Sequence, residues 1–327
     1  MAVEIKYGVI GSAKEVADLA TALAESQSAK LVGIVGNSST AAALVAQDPQ
    51  IKVYPNEQAL LQADLDVVYL AASQQSRFEI AKKALKNGKH LLLEGPLTRH
   101  FVGASELYRL AKQQKRLIVE NQTPLFSPIV AKVKELLTDK QIGKIKFIDA
   151  KCFLPNIPNN FSDLSAGGGA LFKGGPAVLG MIQTLTGNKI DNWNGFESNQ
   201  VGQADMQCNL SLTAGKVLAN VMITADFSIE TNLTLYGTDG TIRLPEFNQQ
   251  TDTAVLEKAS GSQRFVIENQ QGRLFYAVEH VNNCLQHQMA LSPLVSPELA
   301  LNGIKVIDSM YQRWYGCLLY TSPSPRD

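Results

Sequence analysis

A turn at the end of the first apolar run is the first candidate for chemistry. Gly11 ends that run and is followed by Ser12-Ala13-Lys14-Glu15-Val16. A turn that binds a dinucleotide has the order G-x-G-x-x-G, because its backbone approaches a pyrophosphate and its helix packs closely on the strand. Here only Gly11 is kept, while Ala13 and Val16 replace the other two glycines.

The charged residues of this turn have opposite effects on the binding of an anion. Glu15 places a negative charge near the N-terminus of the predicted helix, where an anion would bind, and Lys14 offsets part of it. The backbone N–H groups there still provide donors. Two interpretations stay open: a weakened or repositioned dinucleotide site at Gly11, Ser12 and Ala13, or a turn that only joins strand to helix.

A polar loop, Gly36-Asn37-Ser38-Ser39, stands where an acid or an arginine usually selects the ribose of NAD or NADP. Asn37 and Ser38 can bond a hydroxyl group, but neither carries a charge that would fix the choice of cofactor. The alternative is an ordinary loop and helix cap.

Other catalytic motifs are missing from the sequence, which has no G-x-S-x-G, P-loop or H-E-x-x-H pattern. No metal site or disulfide framework is expected, because four widely spaced cysteines include no CxxC pair, and a reducing cytoplasm is the expected location. We interpret the histidines as structural or solvated; they are His90, His100, His280 and His287.

Composition excludes several classes of protein. The chain has 327 residues, 45% of them apolar and 18% charged, which indicates a globular protein of about two domains. Thirty basic residues balance 30 acidic ones, so no nucleic-acid or anionic-membrane partner is indicated. No apolar stretch approaches the roughly 20 residues of a membrane span, and no signal peptide is visible.

The elements that must position these residues alternate between strands and helices in the first part of the chain. Strands are predicted at 5–10, 30–35, 53–54, 66–71, 90–93 and 117–119, and helices from about 16, from 40, and at 77–86 and 105–114. This alternation predicts a doubly wound α/β domain with a parallel sheet.

The pattern changes near residue 144. A strand at 144–153 and a Gly-rich loop precede a helix at 170–186, and an antiparallel meander follows at 204–213, 216–226, 232–236, 241–244, 254–257 and 265–268. Helices at 273–288 and 296–314 end this part.

Several segments, in order, resemble the Gfo/Idh/MocA family of oxidoreductases. They are Tyr7-Gly8-Val9-Ile10-Gly11, the run 81–90, Glu94-Gly95-Pro96, Gln141-Ile142-Gly143-Lys144, Gly167-Gly168-Gly169-Ala170-Leu171 and the run 236–241. The resemblance implies a Rossmann domain at 1–122 and an open-faced sheet domain at 123–316 that often mediates homo-oligomerisation. It implies NAD or NADP as cofactor and sugars, polyols or similar small molecules as substrates.

The resemblance also shows where this chain departs from its family. The cofactor loop usually has Pro-Asn and a His three residues on, but here Ala72 is followed by Ser73-Gln74-Gln75-Ser76-Arg77. The family's Glu-Lys-Pro motif is Glu94-Gly95-Pro96, so the lysine that relays a proton is replaced by glycine. By resemblance, Ala72, Ser73, Gln74, Glu94, Gly95 and Pro96 are expected beside the cofactor.

A second catalytic motif, Asp-x-Gly-x-His, is also changed. Lys173 stands at the Asp position, Gly175 is kept, and Ala177 stands at the His position. The family places the two motifs on opposite walls of the active site, so Lys173 is a candidate replacement for the lysine lost at 95; a solvated lysine is the alternative.

Two functions remain open from the sequence. One is an NAD(P)-dependent oxidoreductase with weak or atypical activity, and the other is a catalytically silent member that binds a metabolite or dinucleotide or pairs with an active homologue. Residues 317–327 resemble a translated sequencing adapter, with a natural tail as the alternative, and we exclude them from the fold.

Overall fold

A computed structural model describes residues 4–36, 38–164, 167–198, 202–248, 252–268 and 271–316. Asn37 and the adapter-like residues 317–327 lie outside the described residues. The chain forms two compact units: unit 1 comprises 1–98, 102–126 and 269–297, and unit 2 comprises 99–101, 127–268 and 298–327. Each unit is built around its own sheet.

Most strands follow the sequence predictions closely, whereas the last strand, Gly261–Val266, begins four residues before the predicted run at 265–268. They are β1 (Ile5–Ile10), β2 (Ala29–Val35), β3 (Lys52–Tyr54), β4 (Val67–Leu70), β5 (His90–Glu94), β6 (Ile118–Asn121), β7 (Ile145–Phe153), β8 (Ile190–Ser198), β9 (Gln207–Ala214), β10 (Val217–Thr224), β11 (Asn232–Gly237), β12 (Thr241–Pro245), β13 (Thr253–Lys258) and β14 (Gly261–Val266). Of these, β8 is not predicted from the sequence.

The helices include two that the sequence analysis does not predict, α3 and α6. The full set is α1 (Ala13–Ala24), α2 (Ser39–Gln47), α3 (Glu57–Leu61), α4 (Gln74–Lys86), α5 (Phe101–Gln114), α6 (Pro128–Thr138), α7 (Ala170–Thr186), α8 (Arg273–Gln286) and α9 (Pro297–Tyr315). A 3₁₀ turn covers Thr123–Phe126. Within the part of the chain that the structure describes, no helix has the length and apolarity to span a bilayer.

Unit 1 holds the doubly wound parallel sheet, which confirms the predicted fold class. Its described strands lie in the order β3-β2-β1-β4-β5-β6, and all neighbouring pairs are parallel. Strand order reverses between β1 and β4, so the carboxyl ends of these strands form the crevice where such sheets bind ligands. The loops after β1, β2, β4 and β5 meet at this edge.

Helix α1 forms because its apolar residues recur on one face. Val16, Leu19 and Leu23 are all buried, at the spacing of a 3.6-residue repeat. Helix α4 begins three residues earlier than predicted, because Gln74 and Arg77 are buried with its apolar face although both are polar.

Helix α8 packs in unit 1, whereas the sequence assigns its residues to the second domain. The hydroxyl group of Tyr7, at the centre of β1, donates to Asn282 Oδ1 over 2.9 Å in a buried hydrogen bond. Ser26 donates to the carboxylate of Glu279 over 2.6 Å. These polar contacts join residues more than 250 positions apart, so local patterns do not reveal them.

Unit 2 holds the second sheet, with the order β14-β13-β12-β11-β7-β10-β9-β8 among its described strands. The sequence predicts an antiparallel meander, and most pairs are antiparallel. The pair β7–β10 is parallel, because β7 inserts between β11 and β10. Helix α7 packs on β7, β9 and β10. On β7, β10 and β11, Phe147, Leu218 and Tyr236 remain exposed.

Candidate functional site

The turn between β1 and α1 retains the backbone of a dinucleotide site. Ser12 and Ala13 are exposed at the start of α1, and Gly11 lies beside Ala71. A Cβ atom on Gly11 would lie 3.2 Å from that of Ala71, so the turn approaches the end of β4 closely. The N-terminus of α1 therefore presents N–H groups at the edge of the sheet, which fits a pyrophosphate at the level of the backbone.

The side chain of Glu15, in contrast, does not fit a bound pyrophosphate. Its Oε2 atom accepts a hydrogen bond of 2.8 Å from the backbone N–H of Ser12 and a second from the Ser12 hydroxyl group. The Nζ atom of Lys14 pairs instead with Asp18, one turn further along α1. A carboxylate thus lies where the turn would receive an anion.

The loop after β2 contributes Ser38 as a helix cap. Its Oγ atom accepts a hydrogen bond of 3.1 Å from the backbone N–H of Ala41, in the first turn of α2. The hydroxyl group is thereby used by the helix, although it can still donate to a ribose hydroxyl.

Arg77 holds the loops after β4 and β5 together. Its buried guanidinium group donates to Ala72 O over 3.1 and 2.8 Å, to Glu94 O over 2.7 Å and to Pro96 O over 2.7 Å. Gln74 adds a bond of 2.8 Å from Nε2 to Pro96 O. Burial lowers the pKa of Arg77, and nearby carboxylates, Glu94 first, oppose that shift. Ala72, Gln74, Glu94 and Pro96, each expected beside the cofactor, are therefore brought together.

The Glu94-Gly95-Pro96 segment is fixed by side chains as well as by Arg77. The bond between Gly95 and Pro96 is cis. Glu94 Oε1 accepts hydrogen bonds from the hydroxyl group of Tyr69 and, over 2.7 Å, from Asn121 Nδ2. Burial, together with Glu94, raises the pKa of Tyr69, so this hydroxyl remains a donor.

Glu120 is a functional candidate that sequence reasoning missed. It is completely buried on β6, where Oε2 accepts a bond of 3.2 Å from Leu97 N and Oε1 accepts one of 3.1 Å from Gln122. Burial raises its pKa to about 7, although these hydrogen bonds act in the opposite direction. The available signal was a lone acid after the apolar residues Ile118 and Val119.

Lys173 and Ala177 lie in unit 2, on α7. Lys173 is exposed in the first turn of the helix, and Ala177 is half-buried one turn later. Nothing in unit 2 tests the catalytic role predicted for Lys173, which stays a prediction.

A buried acid caps α7 from a distant segment. Asp205 Oδ2 accepts a bond of 2.7 Å from Leu171 N, and Asp205 Oδ1 accepts one of 2.6 Å from the hydroxyl group of Tyr311. Burial raises the pKa of Asp205 to about 7, against the effect of these bonds. Gly169 precedes the helix with a φ of 114° and leaves room for both groups.

A small cleft lies in unit 2 near this cap. His100 Nδ1 lies 3.2 Å from Asp308 Oδ1 beside it, and Arg99 donates to Leu164 O over 2.7 Å. The lining also includes Gly167, Gly168, Phe172 and Tyr311. Among the described residues, no group of three or more His, Cys, Asp or Glu side chains is arranged to hold a metal ion.

Family profiles match both units. The profile of the oxidoreductase family with an NAD-binding Rossmann fold matches residues 5–122, and that of the Gfo/Idh/MocA C-terminal domain matches residues 130–243. The chain belongs to the Gfo/Idh/MocA family of oxidoreductases. NAD or NADP is therefore the cofactor class of its Rossmann domain.

Proteins similar in sequence include a dehydrogenase and a reductase. A trans-1,2-dihydrobenzene-1,2-diol dehydrogenase of Xenopus tropicalis is 25% identical over 89% of this chain and 92% of its own length. A dTDP-3,4-didehydro-2,6-dideoxy-alpha-D-glucose 3-reductase of Streptomyces antibioticus is 27% identical over 73% and 75%.

Solved structures share the fold of this chain. The 3-ketoreductase KijD10 of Actinomadura kijaniata, with TDP-benzene and NADP, has a TM-score of 0.80 at 21% identity, covering 94% of this chain and 96% of its own. An aldose-aldose oxidoreductase of Caulobacter crescentus with glycerol has a TM-score of 0.84 at 17% identity, covering 94% and 97%. At these identities the likeness concerns the fold.

Proposed function

We propose that this Gfo/Idh/MocA protein is an NAD(P)-dependent oxidoreductase of sugars or polyols whose turnover is slow because its proton-transferring side chains have been replaced. One observation carries the proposal: the cofactor edge of the sheet is kept, with Ala72, Glu94 and Pro96 held by Arg77, while position 95 has no side chain. The edge of the sheet supports cofactor binding, and the absence of a side chain at Gly95 supports slow turnover.

The cofactor would be held by residues at the carboxyl ends of the strands. Gly11, Ser12 and Ala13 would face the pyrophosphate, Ser38 a ribose, and the loops containing Ser73 and Gly95 the nicotinamide side. The bound cofactor supplies hydride transfer, and the protein contributes position and electrostatics. The residues around Arg77 keep the two loops in one arrangement through buried hydrogen bonds, which favours a preformed site.

Proton transfer is the step that these residues support poorly. Gly95 and Ala177 have no group that exchanges a proton, and a missing general acid or base typically costs about 10²–10⁴-fold in rate. Lys173 is the remaining candidate from the two motifs. If it serves this role, Lys173→Ala lowers turnover on the best sugar substrate without changing cofactor affinity, whereas an unchanged rate would exclude it.

A catalytically silent binding protein is the second candidate. It is favoured by the carboxylate of Glu15 at the N-terminus of α1, which competes with the cofactor for Ser12 N–H. In this case the site would bind a metabolite or a dinucleotide weakly, or the chain would pair with an active homologue.

Thermal unfolding with NAD⁺, NADH, NADP⁺ and NADPH separates the candidates. A ligand at 100 times its Kd adds about 2.7 kcal/mol to the free energy of unfolding. A shift with one nucleotide, followed by turnover of a sugar or polyol, supports the oxidoreductase. A shift without turnover across a broad substrate panel supports the silent candidate, and no shift with any of the four contradicts cofactor binding.

The open face of the unit 2 sheet supports a homo-oligomer. Tyr236 pairs with Phe147, which pairs with Leu218, so three exposed apolar side chains form a row across β11, β7 and β10. The rings of Phe147 and Tyr236 lie 5.8 Å apart. Such a row favours burial by a second copy. Sedimentation should show an oligomer that Phe147→Lys dissociates; a monomeric wild type would contradict the proposal.

A further inference from the structure

The further inference concerns the pyrophosphate end of the cofactor site and rests on the proposed function. In a Rossmann domain, the N-terminus of the first helix meets the pyrophosphate through free backbone N–H groups and the positive end of the helix dipole. In this chain that end is Ser12 and Ala13, which are exposed. Any anion that binds there must reach these donors.

A carboxylate of the protein itself already accepts from one of these donors. Glu15 Oε2 lies 2.8 Å from Ser12 N and also accepts from the Ser12 hydroxyl group. The side chain of Glu15 also covers Gly11: a Cβ atom on Gly11 would lie 3.1 Å from Glu15 Cβ and 3.7 Å from its Oε2 atom. The carboxylate therefore lies over Gly11, the one glycine of the dinucleotide turn that this chain keeps.

The neighbouring lysine forms its salt bridge with another acid. Lys14 precedes Glu15 in the sequence, but its Nζ atom forms a salt bridge with Asp18. A dinucleotide that reached Ser12 would thus meet a carboxylate, and like charges at short distance repel each other. The pyrophosphate and Glu15 cannot both accept from Ser12 N, because each backbone N–H is one donor.

We propose that the Glu15 carboxylate substitutes internally for the pyrophosphate of the cofactor, so that a dinucleotide binds only when this carboxylate leaves Ser12. Glu15 thereby determines the affinity of the site and selects against ligands that carry a phosphate at this position. The hydrogen bonds to Ser12 keep α1 capped as long as no dinucleotide is bound.

The test compares Glu15→Gln with the wild-type chain by isothermal titration calorimetry. Glutamine at this position can still accept from Ser12 N, so the cap is retained while the charge is removed. We expect the Kd for NADH or NADPH to fall at least tenfold in E15Q. Adenosine, which has no phosphate, should show no such gain. Thermal unfolding of both proteins without ligand checks that the fold is unchanged.

Glu25→Gln is the matched control, because Glu25 is an exposed acid at the opposite, C-terminal end of the same helix. We expect E25Q to change the Kd of the dinucleotide by less than threefold. An E15Q affinity equal to that of the wild type, or an equal gain in E25Q, overturns the role of Glu15 while leaving the proposed function intact. If neither wild type nor E15Q binds any nicotinamide dinucleotide, both proposals fail.

Discussion

The Oε1 atom of Glu120 lies 3.2 Å from the position that a Cβ atom would occupy on Gly95. A buried carboxyl group therefore adjoins the position at which the family carries its lysine. A side chain at 95 would begin in contact with Glu120, and Glu94 precedes it in the sequence. Glycine stands at 95, and acidic groups that can pair with an ammonium lie around this position.

Gly95→Lys is expected to increase turnover. A lysine at 95 would restore a proton-transferring group, and such groups contribute about 10²–10⁴-fold to a rate. We expect the NAD(P)-dependent oxidation of the best sugar or polyol to accelerate by about 100-fold or more. Gly95→Met is the control, because methionine has a long side chain without a charge. Equal rates for G95K and G95M would show that the amine contributes nothing.

The proton on Glu120 makes stability depend on pH. Burial raises its pKa to about 7 from 4.5, so the folded chain binds the proton more tightly than the unfolded chain. The free energy of unfolding therefore falls as pH rises from about 4.5 to about 7. In the wild-type chain the ionisation of Glu120 should lower the free energy of unfolding by an amount on the order of 3 kcal/mol over this pH range. Glu120→Gln should abolish this contribution, as measured by urea unfolding at several pH values.

Asp205→Asn provides the comparison, because burial also raises the pKa of Asp205 to about 7. The ionisation of Asp205 also lowers the free energy of unfolding as pH rises, but this contribution comes from unit 2. E120Q should retain the pH dependence due to Asp205, and D205N should retain the pH dependence due to Glu120. A pH profile that E120Q leaves unchanged would contradict protonation of Glu120 in the folded chain near pH 6.

The strands and most helices were predictable because their patterns are local. β1 is an apolar run, and α1 has buried residues at helical spacing, so each element carries its own signal. The parallel pair of β7 and β10 was not predictable. Its partners are about 70 residues apart, and their pairing is decided by the packing of the whole sheet.

The sequence predicted where the candidate site lies but only some of the contacts within it. Family motifs located Gly11 and Gly95 at the ends of strands, where the structure places them. The role of Arg77 as a clamp was missed, because its three acceptors are backbone carbonyl groups that have no sequence signature. Glu120 was missed because a single acid in a strand does not reveal whether it is buried.

Arg77→Ala is expected to destabilise unit 1. The substitution would leave the carbonyl oxygens of Ala72, Glu94 and Pro96 without these donors, and buried acceptors without a partner are costly. We expect a loss of about 3 kcal/mol or more in the free energy of unfolding, measured with urea. Arg77→Lys should recover only part of it, because lysine lacks the planar fork that reaches several carbonyls.

Arg109→Ala is the matched control for Arg77. Arg109 is exposed on α5, so its removal should change the free energy of unfolding by no more than about 0.5 kcal/mol. If R77A were as mild as R109A, the loops after β4 and β5 would be held by other contacts, with Gln74 the first to consider.

Gly169→Ala is expected to destabilise unit 2 through the cap of α7. Gly169 has a φ of 114°, and a Cβ atom there would lie 2.1 Å from Tyr311 Oη and 2.3 Å from Asp205 Oδ1. These distances are far below van der Waals contact, so the pair that caps the helix would have to separate. We expect a loss of about 3 kcal/mol or more, because a buried hydrogen-bonded carboxyl group loses partners.

Gly187→Ala measures backbone strain at a position without this clash. Gly187 ends α7 with a φ of 66°, and a Cβ atom there would have nothing within 4 Å. Its replacement should therefore cost only the strain of the left-handed conformation, about 1 kcal/mol. A larger loss for G169A than for G187A combines the contact of Asp205 and Tyr311 with residue 169 and the greater strain of the Gly169 backbone, whose φ is 114° and whose ψ is 147°. Equal losses would mean that this contact can relax, and that α7 does not depend on it.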